Sequence, residues 1–242
     1  MSASQQHGFV FENYIHHEVD RRLGDAARAP SCILQEPTAR FDLPSWRDPT
    51  GQGIPTSIKI AKRPASGRVR VDLADARRTV SLSDEPFLRM LVGIYDQKED
   101  CKVVNEVREY LIPGDCWSEA AGDVPPAMIS RFHEALKDPD HHRARIIARQ
   151  WKKKINQYYP GIIRWAPKID SKNQRRLQCS VYLPDLEDLV ASFPDASIRV
   201  YGRPKGKPHP FLVSESLWGD GLALPLSIPS PPRRRHAKKS EK

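Results

Sequence analysis

A nearly continuous apolar run, FLRMLVGIY from Phe87 to Tyr95, constrains the fold of this chain more than any other stretch. An uninterrupted run of this kind is typical of a strand that is buried on both faces of its sheet. After a polar turn at 98–100, the segment 102–111 is predicted to pair back as a second strand. Together with the helical patterns before and after it, this run predicts an α/β (α+β) protein with a mixed central sheet flanked by helices.

The composition fits one sizeable domain. The chain has 242 residues, of which 39% are hydrophobic, enough for one core. No apolar run approaches the roughly 20 residues that span a bilayer, and the N-terminus lacks the pattern of a signal peptide. The four cysteines lie far apart without a CxxC pair, which favours reduced thiols and a cytoplasmic location.

The chain is basic, with a formal net charge of +9. More than half of this charge comes from 229–242, a segment predicted to be a disordered basic tail. We expect 1–228 to form a single domain, with a core at about 8–115 and a recognition part at about 125–220. Basic proteins attract polyanions, among which nucleic acid is the common partner.

Two segments ahead of the apolar run carry residues suited to chemistry. Asp42 follows an extended segment, a turn-rich loop comes next, and then the strand-like run TSIKI. Alternation along that strand directs Ser57 and Lys59 to the face opposite Ile58. A hairpin-like arrangement of the two segments would bring Asp42 beside Lys59. Asp48 is a rival acid, but its Asp-Pro-Thr-Gly context is typical of a turn.

Acids on either side of this pair are further candidates. The segment 72–80 is predicted to form a short helix, with Asp72 able to cap its start and Asp75 one turn in. We favour Asp75 as the second chemical acid, because capping alone explains Asp72. Glu12 lies on a predicted amphipathic helix at 8–23, where its ordinary role is that of a solvated acid and its chemical role is secondary.

The spacing of Asp42 and the Ser57-x-Lys59 sequence resembles the motif of PD-(D/E)xK nucleases, in which an acid precedes acid-x-Lys. Ser57 stands where that motif has its second acid. Some type II restriction endonucleases also have Ser-x-Lys and take this acid from a downstream helix, where Asp72 and Asp75 lie here. The predicted order of helix, three strands, helix and strand is that of the nuclease core. The resemblance therefore implies a restriction-endonuclease-like core.

The resemblance also implies a mechanism. Asp42 and Asp75, with Asp72 as the rival of Asp75, would hold Mg²⁺ with help from the Ile58 carbonyl. Lys59 would orient or deprotonate the attacking water and stabilise the transition state, leaving cut duplex DNA with 5′-phosphates. A homodimer and a cognate DNA methyltransferase in the same cell would be its partners. The implied catalytic residues are Asp42, Ser57, Lys59, Asp75 and Glu12.

A polar ribbon is the expected DNA-recognition element. The segments 162–170 and 175–183 are predicted strands joined by the turn SKNQ, with polar side chains on one face. Such a ribbon fits the major groove, where Arg, Gln and Asn can read bases. The segment PKIDSKNQRRLQCS also resembles C-terminal segments of certain type II restriction endonucleases. The expected DNA-binding residues are Lys168, Lys172, Asn173, Gln174, Arg175, Arg176 and Gln178.

Other interpretations remain open from the sequence. The basic face of a helix predicted at 142–158 is either solvated or placed along a phosphate backbone. A DNA-binding protein without catalysis would use the same ribbon and helix, with Asp42 and Lys59 as an ordinary ion pair. A repair-type or RNA-processing nuclease on the same fold is the third possibility.

Overall fold

The structure, a computed structural model, describes residues 3–23, 41–98, 101–169, 175–202 and 226–229. These residues form a mixed α/β protein with six α-helices and two β-sheets. The helices are α1 (Ala3–Leu23), α2 (Ala76–Ser81), α3 (Gly114–Ala121), α4 (Pro126–Ala135), α5 (His141–Tyr158) and α6 (Leu183–Val190). Short 3₁₀ turns lie at Ser45–Arg47 and Leu82–Asp84.

The larger sheet is mixed and has five strands. These are β1 (Thr56–Lys62), β3 (Phe87–Lys98), β4 (Cys101–Pro113), β7 (Ser197–Gly202) and β8 (Leu226–Pro229). β1 runs parallel to β3, while β3 pairs with β4, and β4 pairs with β7 and β8, in antiparallel register. In the described part of the chain β1 pairs with one strand only, so its other edge is open to the segment around Asp42.

The smaller sheet is antiparallel, with the order β2–β6–β5. Its strands are β2 (Arg70–Asp75), β6 (Arg175–Tyr182) and β5 (Arg164–Ile169). β2 lies between β1 and α2 in the chain, so the parallel connection from β1 to β3 passes through this second sheet. The ribbon that carries the expected DNA-binding residues is therefore not free-standing, because β2 extends it to three strands.

Two apolar clusters cover the two faces of the larger sheet. The first contains side chains of both sheets and of α2 to α6, including Trp117, Tyr110 and Trp165. In the second cluster, Phe11 and other apolar side chains of α1 pack against Ile58 of β1 and the apolar side chains around it. β3 contributes buried side chains to both clusters, which confirms that its apolar run is covered on both faces.

The packing of α1 explains the glycine in the middle of β3. A Cβ atom at Gly93 would lie 2.7 Å from the tip of the Phe11 ring. Real Cβ atoms do not approach ring carbons this closely, so the absent side chain makes room for Phe11. The interior of a strand otherwise disfavours glycine, and this close approach accounts for its presence.

Several sequence-based boundaries are confirmed. The hairpin of β3 and β4, the strand beginning at Thr56, α4, α5 and the hairpin of β5 and β6 all lie within a few residues of their predicted positions. The segment 31–35, whose sequence predicts a strand, lies outside the described residues, as does the predicted tail of 229–242 except for Pro229, the last residue of β8. The sequence also predicts a last strand at 197–201, which is β7, but it predicts neither β8 nor α3.

The predicted helix at 72–80 is wrong in its first half. Residues 70–75 form β2, in which Val71 and Leu73 are buried while Asp72 between them is exposed. The helix begins only at Ala76, and Asp75 rather than Asp72 is its N-cap. The sequence also predicts a helix at 185–193 with Asp185 as its N-cap, and this start is wrong, because α6 begins at Leu183 after Tyr182.

Two further observations bear on location and redox state. Within the described ranges, no helix is long and apolar enough to cross a membrane. Cys101, Cys116 and Cys179 carry free thiols. Burial raises the pKa of the Cys116 and Cys179 thiols to about 12, so both remain protonated and unreactive at neutral pH.

Candidate functional site

The site lies at the open edge of β1, where the chain before the strand returns beside it. The Asp42 and Leu43 backbone N–H groups donate to the Thr56 carbonyl, at 3.0 and 2.9 Å, and the Thr56 N–H donates to the Leu43 carbonyl at 2.8 Å. Leu43 and Thr56 thus form an antiparallel bridge. The hairpin-like arrangement predicted for Asp42 and Lys59 is confirmed, although its first arm is a single bridge and not a strand.

Asp48 holds the intervening loop closed. Its carboxylate accepts hydrogen bonds from the Thr50 N–H and hydroxyl, at 3.1 and 2.8 Å, and from the Ile54 N–H at 3.0 Å. It also pairs with the buried guanidinium of Arg89. Burial opposes ionisation of Asp48, but these donors outweigh it and lower its pKa. All of this agrees with the turn interpretation of Asp48.

The Asp42 carboxylate is the centre of the site. Its Oδ2 accepts from the Ser57 hydroxyl at 3.1 Å, the Ile58 N–H at 2.6 Å and the Lys59 ammonium at 2.9 Å. Its Oδ1 accepts from the Arg78 guanidinium at 2.9 Å. Burial alone would raise the pKa of Asp42, but Lys59, Arg78 and the hydrogen bonds lower it, so the carboxylate is ionised at neutral pH.

The Lys59 ammonium contacts two oxygen atoms at the edge of β1. Its ammonium lies 2.9 Å from the Asp42 Oδ2 and also 2.9 Å from the Ile58 carbonyl oxygen. The N–H and C=O of one strand residue point to the same side, so both groups of Ile58 face Asp42. Two oxygens therefore converge on one cation at this edge, which is the arrangement that a cation-binding site requires.

Asp75 is the last residue of β2 and the N-cap of α2. Its Oδ1 accepts from the Arg77 N–H at 2.9 Å as the helix N-cap. Its Oδ2 lies 2.9 Å from Nε2 of His133, in a contact without hydrogen-bond geometry. One turn after Asp75, the side chain of Arg78 reaches Asp42. The start of α2 is thereby tied to the edge of β1.

Asp72 and Glu12 lie elsewhere. Asp72 is an exposed residue of β2 that lies 3.8 Å from Arg70. Glu12 on α1 lies 3.8 Å from Nε2 of His16. α1 packs on the Ile58 face of β1, opposite to the face that carries Lys59. Neither acid contacts the Asp42 cluster in the described part of the structure.

Arg78 and His133 are the members of the site that sequence reasoning did not single out. From the sequence alone, Arg78 is open to two interpretations, a phosphate contact or a solvated side chain, and neither indicates its contact with Asp42. With Asp75 as the cap, Arg78 follows at a spacing of three and shares its side of α2. For His133 on α4 the sequence holds no signal, since the contact depends on how α2 and α4 pack.

The site partly fits a magnesium ion. No three His, Cys, Asp or Glu side chains gather around a common point among the residues that the structure describes. Mg²⁺ is commonly held by only one or two carboxylates, its other ligands being waters and substrate phosphates. Asp42 Oδ1, which carries the Arg78 contact, and the Ile58 carbonyl are protein oxygens that such an ion can use. The candidate second acid is Asp75, the N-cap of the helix that carries Arg78.

Some of the expected DNA-binding residues lie within the described ranges and the others lie outside them. Lys168 and Arg176 are exposed register partners on β5 and β6, while Gln178 is half-buried opposite Asp75. Arg175 begins β6, with its side chain outside the description. Lys172, Asn173 and Gln174 lie outside the described residues. The inward side chains Leu177, Cys179 and Val181 are buried, as predicted.

The basic side of α5 is exposed to solvent. Asp140 caps the helix, accepting from the His142 N–H at 2.8 Å, and Ala144, Ala148 and Ile155 fix its buried side. The exposed cations are Arg143, Arg145, Arg149, Lys152, Lys153 and Lys154. The sequence predicts an apolar stripe of Ile147, Trp151, Ile155 and Tyr158 on this helix, and the prediction is wrong at Tyr158, which is 65% exposed.

Comparison of the chain with protein-family models, with curated protein sequences and with solved structures finds no match.

Proposed function

We propose that this protein is a Mg²⁺-dependent nuclease that hydrolyses phosphodiester bonds of duplex DNA at the Asp42 cluster. The observation that carries the proposal is the convergence of Asp42 Oδ2 and the Ile58 carbonyl on the Lys59 ammonium at the open edge of β1. An acid, a strand carbonyl and a lysine in contact are the groups that such a reaction uses. Among the described residues only the Leu43–Thr56 bridge lies at this edge, and the Asp42 and Lys59 side chains keep 13% and 14% of their surface exposed.

Each residue has a role that its position permits. Asp42 and the Ile58 carbonyl would hold Mg²⁺ together with Asp75, and the ion would supply Lewis-acid polarisation of the phosphate. Lys59 would then turn its ammonium toward the attacking water and the developing negative charge. Ser57 keeps Asp42 oriented through its hydroxyl. Arg78 would move from Asp42 to a phosphate oxygen, as guanidinium groups bind both kinds of anion.

The structure favours Asp75 over Asp72 as the second acid. Asp75 is the N-cap of α2, the helix that carries Arg78, and Arg78 contacts Asp42 directly. Asp72 projects from the exposed face of β2 and takes part in a different cleft. The lowered pKa of Asp42 also keeps a negative charge available for a metal ion at neutral pH.

The surfaces for DNA are the basic side of α5 and the exposed edge residues Lys168 and Arg176. α5 contains no acidic residue, and its cations other than Arg143, which pairs with Asp138, would displace counterions from a phosphate backbone. Site specificity, a homodimer and a companion methyltransferase belong to the narrower form of the proposal, a type II restriction enzyme. A homodimer would present two Asp42 clusters to the two strands of a palindromic site.

The test is cleavage of unmethylated phage DNA with and without Mg²⁺ by the wild type, Lys59→Ala and Lys98→Ala. Lys98 is exposed at the end of β3 and serves as the matched control. We expect Mg²⁺-dependent fragments from the wild type and the control, and loss of at least about 100-fold in rate for Lys59→Ala. Discrete bands support a restriction enzyme, whereas a smear supports a repair-type nuclease. Asp75→Asn should abolish cleavage and Asp72→Asn should not.

A second candidate is a DNA-binding protein without catalysis. It is favoured by the four donors on Asp42, which tie β1, α2 and the preceding segment together as a structural ion pair would. In that case the wild type shifts DNA on a gel and leaves it intact with Mg²⁺ present. Absence of both cleavage and a shift would contradict both candidates.

A further inference from the structure

A polar cleft, separate from the Asp42 cluster, lies beyond the end of β1, between the two sheets. It has a volume of about 610 Å³, within the range of small-ligand sites. Residues from the end of β1, the following turn, β2, β3, β4 and β6 line it. The residues that matter here are Lys62, Arg68, Arg70, Asp72, Lys102 and Tyr182.

The cleft has an excess of positive charge. Four of its lining residues are cationic, and Asp72 is the one acid among them. Asp72 is already 3.8 Å from Arg70, and Arg68 pairs with Asp185 outside the lining. In the described structure neither Lys62 nor Lys102 forms an ion pair with an acid.

The two lysines lie close enough to affect each other. Burial lowers the pKa of Lys102, and the charge of Lys62 lowers it further. Two like charges that face one cleft repel each other, and an anion bound between them relieves this repulsion.

Aromatic rings hold the cations in place. The Lys102 ammonium lies 4.4 Å from the centre of the Tyr95 ring. The Arg68 and Arg164 guanidinium groups lie 4.5 and 4.8 Å from the centre of the Tyr182 ring. These contacts restrict the side chains without neutralising them. Planar guanidinium and phenol groups also provide surfaces on which a nucleobase stacks.

We propose that this cleft binds a nucleotide, with its phosphate on Lys62 and Lys102 and its base against the Arg68–Tyr182 wall. The ligand can come from two sources, a free mononucleotide or one nucleotide of a DNA strand. Lys62 lies three residues beyond Lys59, about 10 Å further along β1. Because this spacing is odd, the Lys59 and Lys62 side chains leave β1 on opposite faces, so a DNA strand that reaches Asp42 would enter the cleft by passing around the open edge of β1. Only this DNA source rests on the proposed function, because a free nucleotide would bind whether or not the protein cleaves DNA.

The first experiment measures binding of thymidine 5′-monophosphate by calorimetry, with thymidine as the ligand that lacks the phosphate. We expect saturable binding of the monophosphate and none of thymidine. Lys62→Gln and Lys102→Gln should each weaken binding about tenfold, as loss of a charged hydrogen-bond partner does. Lys98→Gln, which removes the same charge from an exposed position outside the cleft lining, should leave binding unchanged.

The second experiment covers the DNA source. If the monophosphate does not bind, a 20-base-pair duplex should still bind more weakly to Lys62→Gln and Lys102→Gln than to Lys98→Gln. The slope of log affinity against log salt should then fall by about one for each lysine. Neither experiment measures cleavage, so an inactive protein that binds either ligand in this way supports the cleft and contradicts only the nuclease proposal.

A stability measurement separates binding from a structural role. Because Lys62 repels Lys102, Lys102→Gln should melt at the same or a higher temperature than the wild type without phosphate. It should also lose the rise in melting temperature that inorganic phosphate gives the wild type. Lys62 is exposed, so Lys62→Gln carries the test if the other variant does not fold. The inference is overturned if both lysine variants bind monophosphate and duplex as Lys98→Gln does.

Discussion

Two clusters of ionised side chains contain residues in or next to the loop between Asp42 and β1, and they differ in how far their side chains are exposed. In the sealed cluster, Arg89 lies between Asp48 and Glu109, and all three side chains are at most 2% exposed. In the open cluster, Asp42 and Lys59 are 13% and 14% exposed, and Arg78 is 25% exposed. Carboxylates thus pair with cationic side chains in both clusters, without solvent access around Arg89 and at a strand edge around Asp42.

This difference separates structure from chemistry. A carboxylate that is sealed beside its cation cannot exchange that partner for a ligand, so the Arg89 cluster is a fixed support of the loop and the sheet. Tyr201 on β7 adds a hydrogen bond to Glu109 and extends this support across β4. The open cluster retains access to solvent, and its cations can be replaced by a metal ion or a phosphate. We therefore propose that Asp42 takes part in catalysis and that Asp48 stabilises the fold.

The largest effect is expected when the sealed cluster loses its cation. Arg89→Met leaves Asp48 and Glu109 as buried charges without their partner, which should lower the free energy of unfolding by about 3–5 kcal/mol. Urea unfolding measures this change. Arg145→Met, an exposed arginine on α5, should change it by no more than about 0.5 kcal/mol. Equal effects of the two substitutions would contradict the structural role of Arg89.

Acid should remove stability from both clusters, but salt should distinguish them. Asp42 and Asp48 have pKa values below the usual 3.8 in the folded protein, so their stabilising contribution is complete above that pH and is lost as the pH falls below it. Asn at either position should flatten the decrease of stability between about pH 5 and pH 2. In high salt the contribution of Asp42 should shrink while that of Asp48 persists. Urea unfolding across this range checks both statements, and equal salt sensitivity would remove the distinction.

The sequence predicted the parts of the site that depend on local pattern. The alternation in TSIKI placed Lys59, and the turn residues after Asp42 required the chain to reverse, so their contact was expected. The apolar run of β3 and the polar turn after it are also local patterns, and they identified the central hairpin of β3 and β4.

What the sequence could not show depends on distant pairing. The start of α2 was misplaced because DLADARR has a helical composition, whereas pairing with β6 keeps its first residues extended. Asp75 therefore became the cap, and the contact of Arg78 with Asp42 could not be derived. β8 has four residues and joins the sheet from a remote part of the chain, so no local pattern indicates it. The charged cleft likewise forms only when two separate sheets meet.

The most direct test of this account compares Asp42→Asn with Asp48→Asn, in both unfolding free energy and single-turnover cleavage of DNA with Mg²⁺. The substitutions are chemically identical and lie six residues apart. Asp48→Asn should lose about 3 kcal/mol of stability and keep its cleavage rate within about tenfold. Asp42→Asn should lose at most about 2 kcal/mol and at least about 100-fold in rate. Cleavage that survives in Asp42→Asn, or that falls equally in both variants, would contradict the assignment of the chemistry to the open cluster.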